Sequence, residues 1–200
     1  MIDIVPNTNS TSVPMLWSNT ASYTNSWNAN AKAAIAAGSK YLLGFNEPDL
    51  SSQSNISPAA AAASWMTYMQ PFAGQAKLVS PAVTNGGGET GLQWTKEFLG
   101  NCTGCTVDVI AIHWYSNSVS DFQTHITQAN TMFGRPVWLT EFGLTGATDA
   151  QVASFLTTQL PWLDAQSFVQ RYAYFGDFAG YLLNAAGNAL GLAGTVYAAA

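Results

Sequence analysis

Short, almost wholly apolar strand candidates alternate with helical segments along this chain, and that alternation leaves few folds open. Strands are expected at Ser12–Trp17, Tyr41–Phe45, Lys77–Val83, Val107–Tyr115, Val137–Glu141 and Arg171–Phe178. Helices are expected at Trp27–Ala37, Ser57–Gln70, Glu89–Leu99, Ser120–Phe133 and Thr148–Asp164, with a short terminal helix in the tail. Their boundaries carry end signals: Gly38 and Gly134 as C-caps, Ser57 with Pro58 as an N-cap and first-turn pair. Ser120 with Gln123 and Thr148 with Gln151 match the capping-box spacing. Strands apolar on both faces belong to a parallel sheet covered by helices, which is an α/β fold. No linker or shift in composition divides the chain, so residues 1–200 are expected to form a single domain with a substantial core.

The polar residues choose between the two common α/β architectures. Asn46 and Glu47, Asn85, His113 and Tyr115, Glu141 and Asp177 fall at or just past the carboxyl ends of successive strands. A (β/α)8 TIM-type barrel brings all such ends to one rim. An open sheet would spread them along a line, with function only at the switch point. The barrel is therefore expected. In Tyr41-Leu42-Leu43-Gly44-Phe45-Asn46-Glu47-Pro48-Asp49, Pro48 lacks a backbone donor, so the strand ends with Glu47 at its mouth. One such Glu is either a capping carboxylate paired with a cation or a site carboxylate. Pro136-Val137-Trp138-Leu139-Thr140-Glu141-Phe142-Gly143 repeats the design, and the chain has only 11 acidic residues.

Composition excludes several function classes. A net charge of −5 with six Lys and Arg in total, none clustered, argues against nucleic acid or an anionic membrane as partner. No run reaches the ~20 apolar residues of a spanning helix. Met1-Ile2-Asp3-Ile4-Val5-Pro6 has neither a cationic nor an apolar leader region, so no signal peptide is expected in this chain. Sequons stand at Asn9, Asn55 and Asn101. The aromatic content of 12%, set among many Ser, Thr, Asn and Gln, suits neutral, hydroxyl-rich ligands. Cys102-Thr103-Gly104-Cys105 precedes a strand without basic neighbours, so a loop-tightening disulfide is preferred over free thiols or a thiol oxidoreductase site. His113 and His125 lack zinc-finger spacing, and the Gly-rich loop Asn85–Gly88 lacks a phosphate-loop Lys, so neither metal nor cofactor is expected. No Gly-x-Ser-x-Gly elbow occurs.

Two Glu residues facing each other across one rim fit glycoside hydrolysis. The pieces Val13-Pro14-Met15-Leu16-Trp17, Leu42 to Asp49, Ser80-Pro81-Ala82-Val83-Thr84-Asn85, Ile110-Ala111-Ile112-His113-Trp114-Tyr115 and Trp138 to Gly143 together resemble glycoside hydrolase family 128. That resemblance implies a retaining endo-β-1,3-glucanase of the (β/α)8 clan. It implies Glu47 as acid/base after strand four, Glu141 as nucleophile at the end of strand seven, and Asn46 as a ligand of the sugar 2-hydroxyl. Asn46 beside Glu47 requires an irregular strand end, because strict alternation points neighbours to opposite faces. In the family frame Val13–Trp17 becomes strand three, so strands one and two are expected to be missing, or substituted in part by residues 2–5.

Further roles are expected around the pair. His113 and Tyr115 orient Glu141 or contact sugar, with a structural core histidine as the competing reading. Asn85 is a sugar ligand or a turn former. Trp17 and Trp114 are placed to stack on pyranose rings, and Phe142 and Phe175 line the cleft or the core. Trp138 is expected between barrel and helices, and Trp27, Trp65, Trp94 and Trp162 in the core. Asp49 is expected to cap its loop. The expected partner is β-1,3-glucan, the enzyme a monomer, and its place extracellular or at the cell wall. The alternative is a catalytically impaired β-glucan-binding module derived from such a barrel.

Overall fold

A computed structural model of the chain describes residues 13–200. The substitute strand expected at residues 2–5, the Asn9 sequon and Ser12 lie outside the described residues. Within them, helices α1 (Ala21–Ala36), α2 (Pro58–Tyr68), α3 (Leu92–Asn101), α4 (Phe122–Phe133), α5 (Asp149–Ala165) and α6 (Leu192–Ala198) alternate with strands. The strands are β1 (Tyr41–Leu43), β2 (Lys77–Val79), β3 (Ile110–Ser116), β4 (Val137–Leu144) and β5 (Val169–Tyr174).

Every strand pairing is parallel. β1 pairs with β2, and β3, β4 and β5 form a second sheet in that order. Single parallel bridges extend the order: Met15 to Leu43, Asn46 to Ala82, Val79 to Val109 and Val83 to Ile112. Neighbours in sequence are thus neighbours in space from Met15 to β5. The α/β expectation holds, as an arc of consecutive strands; among the described residues no pairing closes β5 onto the Met15 segment. The ladder is interrupted after β2 for a local reason. Pro81 has no N–H to give, and Ser80 Oγ stands in for a ladder carbonyl by accepting from Ala111 N at 2.8 Å. Gly44 is required where β1 passes β2, since a Cβ there would lie 2.8 Å from both Pro81 N and the Trp65 ring.

Two helix starts differ from expectation. α1 begins at Ala21, behind an extended Thr20, so the helix expected from Trp27 starts earlier, with mostly polar and exposed first turns. α4 begins at Phe122 without the Ser120 capping box: Ser120 engages Ser118, and Asp121 accepts from Trp114 Nε1 instead. The Thr148–Gln151 capping box is formed, as are the Ser57 cap and the left-handed Gly134 stop. Cys102 and Cys105 form the expected disulfide at the end of α3.

The strands sort their side chains to two sides. Ile110, Ile112 and Trp114 of β3, with Val137, Leu139 and Phe142 of β4, join the main core against the helices. Val13, Leu43, Val79, Val109, Ala111 and Trp138 form a smaller cluster of residues from the strands and their flanks. Within it, the Tyr41 and Trp138 rings lie 4.6 Å apart, and the Arg171 guanidinium sits 5.0 and 4.8 Å from them. β1 and β4 are not paired neighbours, so the sheet curls enough for their side chains to meet.

Trp138 is therefore core, but on the side opposite to the one expected. The cause is a β-bulge. Leu139 pairs with Ile112 while Glu141 pairs with His113, leaving Thr140 as the extra residue. That insertion shifts the alternation, so Trp138 and Glu141 face the same inner side.

Candidate active site

The inner side becomes polar toward the carboxyl ends of the strands. Beyond Leu43, the chain turns sharply at Glu47, which has φ 38°. A positive φ is costly for a side chain of this kind, and it is held from both flanks. Glu47 N donates to Ala82 O at 2.7 Å, and Pro48 O accepts from Ile56 N at 2.9 Å. This is the irregular strand end that Asn46 and Glu47 required. Asn46 is buried, and its carboxamide donates to Gln53 Oε1 at 3.3 Å.

His113, the inner residue after Ala111 on β3, is 1% exposed. Its Nδ1 lies 2.8 Å from Glu47 Oε1 and 3.5 Å from Glu141 Oε2. Nε2 has no hydrogen-bond partner among the described residues. Hydrogen bonding therefore assigns the ring proton to Nδ1, where it is donated to Glu47. Tyr115, two residues further along the same face, donates its hydroxyl to Glu141 Oε2 at 2.7 Å. Burial, and then the neighbouring Glu141, hold the Tyr115 hydroxyl far above the ordinary phenol range, so it remains a donor. Neither carboxylate pairs with Lys or Arg among the described residues.

Asn85 holds this arrangement from behind. Its Oδ1 accepts from Tyr115 N, and its Nδ2 donates to Tyr115 O, both at 3.1 Å. The side chain copies a strand partner and pins the backbone that carries the tyrosine. The loop bearing Asn85 is itself anchored by Asp49, which accepts from Thr84 N, Thr84 Oγ1 and Gly91 N. Asp49 thus caps the β2–α3 loop rather than, as expected, its own. Asn85 thus engages both ends of its amide on the Tyr115 backbone.

Trp17 lies at this end too: its carbonyl accepts from Asn46 N at 3.0 Å, and its half-buried ring stacks on Tyr23. Two expected residues do not reach the cleft. Trp114 and Phe142 are both 0% exposed and pack with Phe122 and Phe155 on the helix side. The reason is alternation: Trp114 falls between His113 and Tyr115, and Phe142 follows Glu141, so each points away from the site.

The structure also shows what residue reading missed. Phe178 and Tyr181, on the loop after β5, stand exposed beside Phe175 and Tyr115. A cavity of about 380 Å³ opens between this loop and Gly143–Ala147. Phe178 closes the strand expected at Arg171–Phe178, but β5 ends at Tyr174, and Tyr181 lies beyond any expected strand. Aromatic residues in a Gly- and Asn-rich loop were the legible signal.

Glu47, His113 and Glu141 place one donor atom each within 4.8 Å of one another, which would also suit a metal ion. A metal there would displace the proton between His113 and Glu47. The same distance brings two carboxyls close enough to act on one bond.

Comparison with known proteins gives the family. A sequence profile of the glycosyl hydrolase catalytic core matches residues 3–197. A curdlan-specific exo-β-1,3-glucanase of glycoside hydrolase family 128, subgroup III, from Blastomyces gilchristii superposes with a TM-score of 0.84 at 44% identity, covering 96% of this chain and 83% of that one. The chain belongs to glycoside hydrolase family 128. It is a glycoside hydrolase with the family's α/β fold. An endo-β-1,3-glucanase of subgroup II from Sorangium cellulosum matches with a TM-score of 0.78 at 32% identity, covering 92% and 78% of the two chains. Alkali-sensitive linkage protein 1 of Schizosaccharomyces pombe is 35% identical over 156 residues, which are 73% of this chain and 28% of that protein. The chain therefore spans little more than a quarter of that relative.

Proposed function

We propose that this glycoside hydrolase cleaves β-1,3-glucan with retention of configuration, using Glu141 as nucleophile and Glu47 as acid/base. The observation that carries the reading is the carboxyl spacing. One oxygen of each Glu lies within 4.8 Å of the other, a closeness that favours a retaining pair, whose carboxyls stand ~5–5.5 Å apart, over an inverting one at ~6.5–9.5 Å. The substrate class rests on relatives. The Amycolatopsis mediterranei endo-β-1,3-glucanase, 30% identical, was captured with laminarihexaose and with laminaritriose and laminaribiose in variants of two different glutamates.

In the first step Glu47, carrying a proton, delivers it to the glycosidic oxygen while Glu141 attacks the anomeric carbon. The C–O bond to the leaving sugar breaks and a glucosyl ester forms. In the second step Glu47 takes a proton from water, whose oxygen displaces Glu141 and completes hydrolysis. Tyr115 holds Glu141 ready through its hydroxyl. His113 Nδ1–H, bonded to Glu47 and close to Glu141, fixes the two carboxyls relative to each other. Trp17 offers a partly exposed ring to a sugar face, and Asn46 lies next to the acid. A (β/α)8-type barrel, with the Met15 segment in the place of its third strand, is the architecture we infer. We further propose a monomer that works outside the cell or at the cell wall; no described helix is long and apolar enough to cross a membrane.

Proton NMR during laminarin hydrolysis tests the whole reading. New reducing ends should appear first as the β-anomer. Initial α-anomer would overturn retention, and no new reducing ends would overturn the activity. Activity unchanged by EDTA is expected, since the proposed steps need only the two carboxyls.

A further inference from the structure

The loop after β5 carries the most exposed aromatic surface near the site, and nothing in the two-carboxylate chemistry requires it. Phe175, Phe178 and Tyr181 are 38%, 51% and 49% exposed. They form a closed triangle of edge-to-face contacts, with ring centroids 5.8 Å apart for Phe175–Phe178, 6.3 Å for Phe175–Tyr181 and 5.8 Å for Phe178–Tyr181. Phe175 also meets the Tyr115 ring at 5.7 Å. The triangle is thus joined to the residue that holds Glu141.

The loop is built to present these rings. Gly176 has φ 101°, and a Cβ there would come within 3.0 Å of Phe178 and 3.1 Å of Tyr181. Tyr181 N donates to Phe178 O, Leu182 N to Gly176 O and Leu183 N to Phe178 O, so the backbone is tied to itself behind the rings. Contiguous exposed aromatic surface beside a cleft marks a binding site. Behind it lies the cavity of about 380 Å³, within the usual range of about 300–1,000 Å³ for small-molecule sites. Tyr115, Gly143, Thr145, Tyr174, Phe175 and Tyr181 are on its wall, and no charged residue lines it. The wall asks for a neutral ligand with an apolar face and hydroxyl edges. A pyranose ring has that form.

We propose that Phe178 and Tyr181 form a second sugar-binding wall, which holds a glucosyl unit adjacent to the one attacked by Glu141 and sets the chain length the enzyme prefers. This rests on the β-1,3-glucan reading above and adds to it a specific place and two residues. Continuity of the cavity with Tyr115 makes the occupant part of the same glucan chain rather than a separate ligand.

Kinetics on the series from laminaribiose to laminarihexaose would test it, with Tyr181→Ala, Phe178→Ala and Tyr181→Phe beside wild type. Met66→Ala, an exposed apolar side chain on α2, serves as control and should behave as wild type. Loss of one stacked ring should raise KM about two- to tenfold for laminarihexaose, in line with ring contacts of about 0.5–1.5 kcal/mol and 1.4 kcal/mol per tenfold. The penalty should shrink as the substrate shortens, and Tyr181→Phe should recover most of it. Calorimetric titration of laminarihexaose into Glu141→Gln should show the same weakening when Tyr181→Ala is added. A KM penalty equal at every length, or none, would overturn the wall. So would light scattering that shows a dimer dissolved by Phe178→Ala, which would make the rings an interface between copies. Absence of any wild-type hydrolysis, with no binding to Glu141→Gln, would instead remove the glucan reading itself.

Discussion

The two ends of the same strands solve opposite problems. Toward the amino ends, Leu43, Ala111 and Trp138 pack strand against strand, with Arg171 laid over the Tyr41 and Trp138 rings. A few residues later Glu47, His113 and Glu141 occupy the same inner side, and each is engaged in a hydrogen bond or ion pair. The first end gains stability from apolar burial; the second spends it on buried polar groups that must be paired to be tolerated. Parallel strands make this division possible, because all their carboxyl ends lie on one side. Substitutions at the rim should therefore remove activity and spare the fold, while substitutions at the base should do the reverse.

The widest separation is expected from Glu141→Gln and Glu47→Gln. Each should lower hydrolysis of laminarin by at least about 10²–10⁴-fold, the range of a positioned acid/base, with thermal midpoints near wild type. Retention of near-full activity by both would break the comparison at the rim. Trp138→Ala makes the matching test at the base. Removing a fully buried indole should cost about 3–5 kcal/mol in urea unfolding, and the protein that remains folded should retain most of its kcat.

Asn85→Ala lies between the two classes. It frees both Tyr115 backbone groups that the amide now satisfies, so a stability loss of about 1–3 kcal/mol is expected. Because it acts through Tyr115 on Glu141, kcat should fall roughly tenfold, a barrier rise of about 1.4 kcal/mol, with KM nearly constant. A change in KM alone would make Asn85 a sugar ligand after all.

The smallest effect concerns pH. Burial lowers the proton affinity of His125 below that of an ordinary histidine, opposed by the His113 carbonyl and Asp121. The unfolded chain then binds the proton more readily than the folded one. The stability contribution of His125 is fully present above about pH 6.5, the unperturbed value, and is lost progressively as pH falls from there through the lower folded value. Urea midpoints compared at neutral and mildly acid pH should differ less in His125→Asn than in wild type. An equal difference would assign the acid sensitivity elsewhere.

Much of this was legible in residues alone. Doubly apolar strands between helices required a parallel α/β arrangement, and the run into Asn46-Glu47-Pro48 marked a strand mouth. Polar residues at successive strand ends located the site, because parallel strands share a carboxyl-end rim. What position at a strand end alone misjudged was orientation. Trp114 and Phe142 sit one residue from site positions, and for a side chain one residue is the difference between cleft and core. The extra residue at Thr140 then reversed the phase for Trp138, a change invisible without the partner strand.

By itself, then, the sequence determined the α/β fold class, favoured the disulfide and placed two glutamates at strand ends, since these follow from periodicity and local chemistry. Only the tertiary structure decided that His113 stands between Glu47 and Glu141, that Asn85 clamps Tyr115, and that Phe178 and Tyr181 of the loop after β5 pack on Phe175 beside Tyr115. Those contacts join positions separated by 26 to 66 residues in the chain, or depend on a turn at Gly176. No local pattern encodes them, because each exists only once the curled sheet has brought its strand ends together.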